Sequence, residues 1–259
     1  MGAGHVHPLY LDRRSPVHAL APETKIVATV LFTVAVVATP REAFWAFGGY
    51  AVLIAAIAAV AGVRAGWLLK RSLIEVPFVV LALLLPFLAT GAETTVAGMH
   101  LSVDGLYAGW NILAKGTLGV LASLLLAATT TMRDLILGLD RLRCPHIITQ
   151  IATFMLRYLD VLADESRRMR IARISRGDDP RFLWQLRGYA AGIGSLFLRA
   201  FERGERVYLA MVSRGYTGRM PAAFRADGAA TAGQWAAALV IPVVAAGVWL
   251  IAWRGWWHP

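Results

Sequence analysis

Residues 43–62 read AFWAFGGYAVLIAAIAAVAG, with no Asp, Glu, Lys or Arg among them. As a helix rising 1.5 Å per residue this stretch covers about 30 Å, the thickness of a bilayer's hydrocarbon core. Residues 73–89 (LIEVPFVVLALLLPFLA) and 235–252 (WAAALVIPVVAAGVWLIA) have the same character. Of the 259 residues 58% are hydrophobic and 16% charged, and the mean hydropathy is +0.57. A soluble domain carries about 25% charged residues. The composition therefore excludes an ordinary soluble enzyme and predicts an all-α, polytopic membrane protein.

Outward from these blocks, Ile26–Ala38 is apolar but short and is followed by Pro40. Extended to Thr24 and Thr39 it makes a marginal first span, and the second begins after a Pro40-Arg41-Glu42 turn. The Ala and Gly of Ala43–Gly62 suit close helix packing in lipid. Arg64, Lys70 and Arg71 are expected in the following loop, and Leu73–Ala89, with Glu75, Pro77 and Pro86, forms a third span. A fourth, Gly105–Ala128, contains Asn111 and Lys115. With the last block the expectation is about five transmembrane helices. The predicted divisions are an amino-terminal segment 1–23, spans within 24–132, a polar helical domain 133–228, and a final span with a short tail, 229–259.

Lys and Arg number 26 against 16 Asp and Glu, a net charge of +10. In a soluble protein that balance suggests nucleic acid. Here the basic residues gather at the ends of the apolar blocks, as cytoplasmic loops do, so a bilayer rather than nucleic acid is the expected partner. With Arg13, Arg14, Lys25, Arg64, Lys70, Arg71 and everything basic from Arg133 to Arg225 on one side, 23 of the 26 lie there. The amino terminus is thus expected inside. The last span is expected to end outside at Trp256 and Trp257, an interfacial aromatic anchor. A single cysteine, Cys144, excludes an internal disulfide and a Cys-x-x-Cys site. Residues 1–22 lack the apolar core of a signal peptide.

The segment 133–225 holds 17 of the basic and 9 of the acidic residues. Its apolar runs, Ile147–Leu156 and Gly188–Leu198, reach only about 15 Å as helices, half a bilayer. They predict short helices of a cytoplasmic or interfacial domain, with Gly188 and Gly192 spaced for close helix approach. Within this segment Ala172-Arg173-Ile174-Ser175-Arg176-Gly177 matches Ala210-Met211-Val212-Ser213-Arg214-Gly215 at four of six positions, 38 residues apart. Each copy follows an acid–base pair at i,i+4 spacing, Asp164 with Arg168 and Glu202 with Arg206. Each ends at a glycine suited to a left-handed helix cap. Gly177-Asp178-Asp179-Pro180 then breaks the first helix. One such end is simply a capped helix; two matched ends suggest two equivalent projections, each an Arg fork able to enter an acidic or carbonyl-lined groove.

On these motifs the sequence resembles the transmembrane T component of energy-coupling factor transporters, the EcfT/CbiQ family. The family carries two short motifs ending in Arg-Gly on cytoplasmic coupling helices. Arg176-Gly177 and Arg214-Gly215 match them, with Ser175 and Ser213 where the family usually has Ala. Leu11-Asp12-Arg13-Arg14-Ser15-Pro16-Val17-His18, Pro22-Glu23-Thr24-Lys25, Thr129-Thr130-Thr131, Leu139-Asp140-Arg141-Leu142-Arg143-Cys144-Pro145 and Met155-Leu156-Arg157-Tyr158 extend the likeness over most of the chain. Gly4-His5-Val6-His7 to His18 resembles the CbiQ branch for cobalt. The resemblance implies a non-catalytic coupling subunit of an ABC importer for cobalt, supporting cobalamin synthesis, with crossed coupling helices. The implied docking residues are Ala172, Ser175, Arg176, Gly177, Ala210, Ser213, Arg214 and Gly215. The implied partners are two ABC ATPase subunits, or a homodimer, a substrate-binding S-type membrane subunit and a small accessory membrane protein. A nickel or vitamin importer is the nearest alternative.

No other motif supplies chemistry. The chain has no Gly-x-x-x-x-Gly-Lys-Ser/Thr loop, no His-Glu-x-x-His and no Gly-x-Ser-x-Gly. No catalytic residue, cofactor or metal site is expected: His5 and His7 sit on a terminal segment, a poor scaffold for ligands. His100, His146 and His258 have no neighbours at ligand spacing. Lys115 within a span is expected to snorkel or pair inside the bundle, close to Asn111 one turn away. The alternative from another class is an integral-membrane lipid-processing enzyme whose Arg-rich domain holds anionic head groups.

Overall fold

The computed structural model describes residues 9–88, 93–96, 99–177, 187–218 and 229–256. The elements are α1 (Pro16–Ala19), α2 (Pro22–Ala38), α3 (Phe44–Val60), α4 (Ala65–Ser72), α5 (Val76–Leu88), a hairpin of β1 (Glu93–Val96) and β2 (Met99–Ser102), α6 (Val103–Thr129), α7 (Met132–Arg141), α8 (His146–Ser175), α9 (Arg187–Val212) and α10 (Ala232–Trp256). The described residues form two compact units. One, the bundle, holds α1–α7 and α10; the other holds α8 and α9. The division falls between Leu142 and Arg143, with α7 packed on α2 within the bundle.

This is the expected helical membrane protein. Ala65–Leu88, Val103–Thr129 and Ala232–Arg254 are long and apolar enough to cross a bilayer. α2 and α3, at 17 residues each, stand at the lower limit for a span. Three features differ from the sequence reading. Lys70 and Arg71 lie on a helix rather than in a loop: α4 is amphipathic, burying Leu68 and stacking Arg71 4.7 Å above the Trp67 ring. A 3-10 turn at Leu73–Glu75 then leads into α5, so this helical stretch begins at Ala65. The antiparallel hairpin pairing Glu93 with Ser102 and Val96 with Met99 was not anticipated; its β-branched Thr94, Thr95 and Val96 suit a strand. His5, His7, Asp178–Pro180, Trp257 and His258, and the side chain of Trp256, lie outside the described residues.

The bundle core joins α2, α3, α6 and α10 through Phe32, Val36, Phe47, Tyr50, Leu118 and Ala245. Tyr50 is fully buried, its hydroxyl 2.8 Å from that of Thr39 and 3.3 Å from the Ala245 carbonyl. α5 and α6 approach through glycine. A Cβ on Gly105 would stand 2.6 Å from the Leu85 carbonyl oxygen, and one on Gly109 2.5 Å from that of Ala82.

α2 stops early, and its last four carbonyls all find donors. The Thr39 hydroxyl donates to Ala35 at 2.8 Å, the Thr39 N–H to Val36 at 3.3 Å, the Lys115 ammonium to Val37 at 2.7 Å and the Trp249 indole N–H to Ala38 at 3.1 Å. Carbonyls at a helix end have no intrahelical partner, and inside a bilayer no water replaces it. Lys115 is therefore a capping cation on the negative end of a helix dipole. Its partner is Val37 rather than Asn111, whose buried Oδ1 has no hydrogen bond.

The two ends of the bundle differ in charge. Near the end of α2 and the start of α6, Arg41 pairs with Glu42 and Asp104 at 3.8 and 3.6 Å and lies against Tyr107. At the opposite end gather Arg13, Glu23, Lys25 and Arg141. Gly109→Val should lower the melting temperature of the detergent-solubilised protein, because it overpacks α5 against α6 at a cost of about 1–3 kcal/mol. Gly48→Ala, where an added Cβ meets nothing within 4 Å, should leave it unchanged.

Candidate functional site

α8 and α9 are 30 and 26 residues long. The short helices expected from Ile147–Leu156 and Gly188–Leu198 are only the opening turns of these two. The apolar runs end where charged residues begin, but the helices continue on acid–base pairs. Glu202 meets Arg206 at 4.0 Å, as the i,i+4 spacing predicts, whereas Asp164 pairs with Arg167 at 3.2 Å and Arg168 with Glu165 at 3.5 Å.

Three contacts fix how the helices run. Arg173 donates to the Gly188 carbonyl at 3.3 Å, Arg199 bridges to Glu165, and Gln150 bonds the Tyr216 hydroxyl. Residues rise along one helix as they fall along the other, so α8 and α9 run in opposite directions. The Gly188–Gly192 pair serves a guanidinium here: Arg173 Nη1 lies 3.3 Å from where a Gly192 Cβ would stand.

This antiparallel arrangement puts the two Arg-Gly ends far apart. Arg176 ends α8 beside the start of α9, and Arg214 ends α9 beside Gln150. From Gln150 to Arg176 a straight helix covers about 39 Å. The two ends are built alike. Gly177 and Gly215 have φ of +80° and +84°, the left-handed region that glycine alone enters freely. Arg176 and Arg214 are the cap residues. The Gly177 N–H reaches the Ile174 carbonyl at 3.0 Å, and the Gly215 N–H reaches that of Val212 at 2.9 Å. In the second copy the Tyr216 N–H also bonds the Met211 carbonyl at 3.0 Å, completing a Schellman cap.

Ala172, Ser175, Arg176 and Gly177 are exposed, as are Ala210, Ser213, Arg214 and Gly215. The serine hydroxyls turn back onto their own helices, Ser175 to Ile171 at 2.9 Å and Ser213 to Ala210 at 3.0 Å. Each thus behaves at the tip like the smaller alanine. Among the described residues neither the Arg176 nor the Arg214 guanidinium has a hydrogen-bond or ion-pair partner, and both residues are exposed.

A second feature of this unit escaped the sequence reading. Among the described residues of α8 and α9 only Thr149 is buried. Ile147, Ile151, Met155 and Leu159 run exposed along α8, and Ile193, Phe197 and Phe201 along α9. The i,i+4 recurrence of large apolar residues was the available signal. Exposed apolar stripes on helices this long mark a candidate interaction surface.

In the bundle, a cavity of about 80 Å³ is lined mostly by apolar side chains, together with Lys25, Thr29 and Thr129. The Lys25 ammonium donates to the carbonyls of His18 at 3.1 Å and Thr129 at 2.9 Å, which occupies it structurally. Thr129, Thr130 and Thr131 lie at a helix junction: Thr129 bonds back to Leu125 at 2.9 Å, and Thr131 caps α7 by accepting from the Asp134 N–H at 3.2 Å. Among the described residues there is no cluster of three or more His, Cys, Asp or Glu.

The family model described as "CbiQ: Cobalt transport protein" matches residues 13–223. The chain belongs to the EcfT/CbiQ family. It is 31% identical to the energy-coupling factor transporter transmembrane protein EcfT of Thermanaerovibrio acidaminovorans over 222 residues, 81% of this chain and 82% of that one. With the EcfT of Heliobacterium modesticaldum the identity is 28% over 229 residues, 81% and 83% of the two chains. The cobalt transport protein CbiQ of Rhodobacter capsulatus is 31% identical over 142 residues, 52% of this chain and 58% of that one. The protein is accordingly a non-catalytic, multi-pass membrane subunit, the transmembrane component of an energy-coupling factor transporter, a class that works with ATPase and substrate-binding subunits. That assignment sets aside the lipid-processing enzyme.

Gly215→Val should speed amide exchange over residues 211–216 about tenfold, since the left-handed conformation costs a β-branched residue roughly 1–2 kcal/mol. Gly215→Asn should stay close to wild type, because asparagine tolerates that region.

Proposed function

We propose that this EcfT/CbiQ protein couples two ABC ATPases, or the two copies of a homodimer, to a substrate-binding membrane subunit in the uptake of cobalt. The observation that carries this reading is the pair of matched Arg-Gly ends: an Arg cap before a left-handed glycine in each, both exposed, at opposite ends of one pair of helices. Each Arg fork docks in a groove of one ATPase through charge-assisted hydrogen bonds. Ala172 and Ala210 keep the helix surface slim beside it, and Ser175, Gly177, Ser213 and Gly215 shape the tip. In this reading α8, α9 and the amino terminus lie on the cytoplasmic side, where the positive-inside rule puts the basic residues.

The apolar stripes of α8 and α9 take the substrate-binding subunit. Closure of the ATPases on ATP moves one Arg-Gly end relative to the other, and the helices carry the displacement to that subunit, which reorients and releases substrate. A small accessory membrane protein completes the complex. Cobalt is supported by the family model's description and by the CbiQ of Rhodobacter capsulatus. The names of the EcfT relatives specify no substrate, which keeps nickel or a vitamin as the second reading. Uptake of Co²⁺ against Ni²⁺ in cells carrying this chain with its genomic neighbours separates the two.

The decisive experiment is co-purification of the chain with candidate ATPase subunits in detergent, wild type beside Arg176→Glu/Arg214→Glu. The double variant should lose the ATPases and transport, and either single variant should weaken both. Equal ATPase recovery from wild type and double variant would reduce the Arg-Gly ends to ordinary helix caps.

A further inference from the structure

The chain leaves the bundle after Leu142 and rejoins it at Ala229. Both points are held by one side chain. Glu23, in the first turn of α2, is 3% exposed. Its carboxylate accepts from Arg141 Nη1 at 3.1 and 3.3 Å and from the Ala230 backbone N–H at 2.9 Å. Arg141 is the last residue of α7, just before the departure, and Ala230 comes just after the return. This buried carboxylate accepts three hydrogen bonds, from both sides of the excursion, so the two junctions share one anchor.

The surroundings reinforce it. α7 lies so close on α2 that a Cβ on Gly138 would stand 3.0 Å from the Glu23 amide nitrogen and 2.8 Å from Ile26 Cδ1. The segment leading into α2 is tied to the same end of the bundle. The Leu11 N–H bonds the Ala128 carbonyl at 3.0 Å, Arg13 bonds the Gly62 carbonyl, and Lys25 reaches the carbonyls of His18 and Thr129. α8 and α9 have only Thr149 buried among their described residues, so their aim is not fixed by a core of their own.

We infer that Glu23 is a positioning residue for transmission: it clamps the outgoing and returning chain together, so that displacement of α8 and α9 is delivered to the bundle instead of being absorbed at two loose junctions. This rests on the coupling function proposed above. It makes Glu23 distinct from the docking residues, because removing it leaves both Arg-Gly ends intact.

The test uses the full chain with its ATPases, in a Cys144→Ser background carrying spin labels at the exposed positions Arg64 and Ser166. Pulsed electron–electron distance measurements are made with and without a non-hydrolysable ATP analogue. Glu23→Gln keeps an acceptor for Ala230 and loses the ion pair; Glu23→Ala loses both. The expected result is ATPase recovery equal to wild type and a distance distribution broadened in Glu23→Gln and further in Glu23→Ala. The nucleotide-dependent shift should be smaller than wild type in Glu23→Gln and lost in Glu23→Ala. An unchanged distribution with full ATPase recovery would overturn the proposal, as would parallel loss of protein and ATPases in both variants, the mark of a merely structural ion pair. If Glu23→Ala fails to fold, the near-isosteric Glu23→Gln decides alone. If the wild-type chain recovers no ATPase, the coupling reading fails, and broadening in the isolated chain still reports on the clamp.

Discussion

In a bilayer, a helix that stops short leaves carbonyls that water cannot reach, and α2 stops after 17 residues. The remedy draws on three other parts of the chain: Thr39 next in sequence, Lys115 from α6 and Trp249 from α10. Lys115 and Trp249 come from distant elements, so satisfying the end of α2 also fixes how α6 and α10 sit against it. Tyr50 of α3 joins the same point through Thr39 and Ala245. A single polar requirement thus ties together four helices that apolar packing alone, in a solvent as apolar as themselves, holds weakly. Lys115 is costly in hydrocarbon only if unpaired, and here it supplies the cation at a helix carboxyl end.

The bundle and the α8–α9 pair are stabilised by opposite means. The bundle buries aromatic and aliphatic residues of α2, α3, α6 and α10, and closes α5 on α6 through glycines that admit no side chain. α8 and α9 bury almost nothing among their described residues and are held by ion pairs and a few polar contacts. Exposed ion pairs contribute little each. Such a pair is stable as helices but loosely determined in packing, which is compatible with the coupling role proposed for it.

How much of this the sequence disclosed depends on the kind of signal. Long apolar blocks with few charges gave the membrane helices directly, because the bilayer imposes a length and a composition. The Arg-Gly repeats gave the helix ends, because a left-handed cap selects glycine, and φ at Gly177 and Gly215 bears that out. Helix length in the polar unit was not legible from apolar runs: α8 continues for 19 residues past Leu156 on charged side chains. The partners of Lys115 and Glu23 were equally hidden. Val37 is 78 positions from Lys115, and Arg141 and Ala230 are 118 and 207 from Glu23. A backbone carbonyl or N–H leaves no mark in a sequence when it is the partner. Asp164 with Arg167 instead of Arg168 shows the finer limit, since i,i+3 and i,i+4 neighbours both lie within reach on one helix face.

If the Arg-Gly ends dock as proposed, the docking residues can be few and simple while the anchors are many. An Arg at a capped helix end needs only to be presented, and the cap does that with backbone hydrogen bonds and one glycine. Presentation is useful only if a push at the tip is resisted at the root. A helix is stiff along its axis, but a chain crossing between two units is not, and this protein has two such crossings. If they yielded separately, α8 and α9 would pivot under load and the bundle would feel nothing. Bringing both crossings to one buried carboxylate on the first turn of α2 makes the root a single point. From there the path runs along α2 to its other end, where Lys115 and Trp249 connect it to α6 and α10. Under the proposed clamp, the polar contacts at the two ends of this one short helix belong to the same mechanical element.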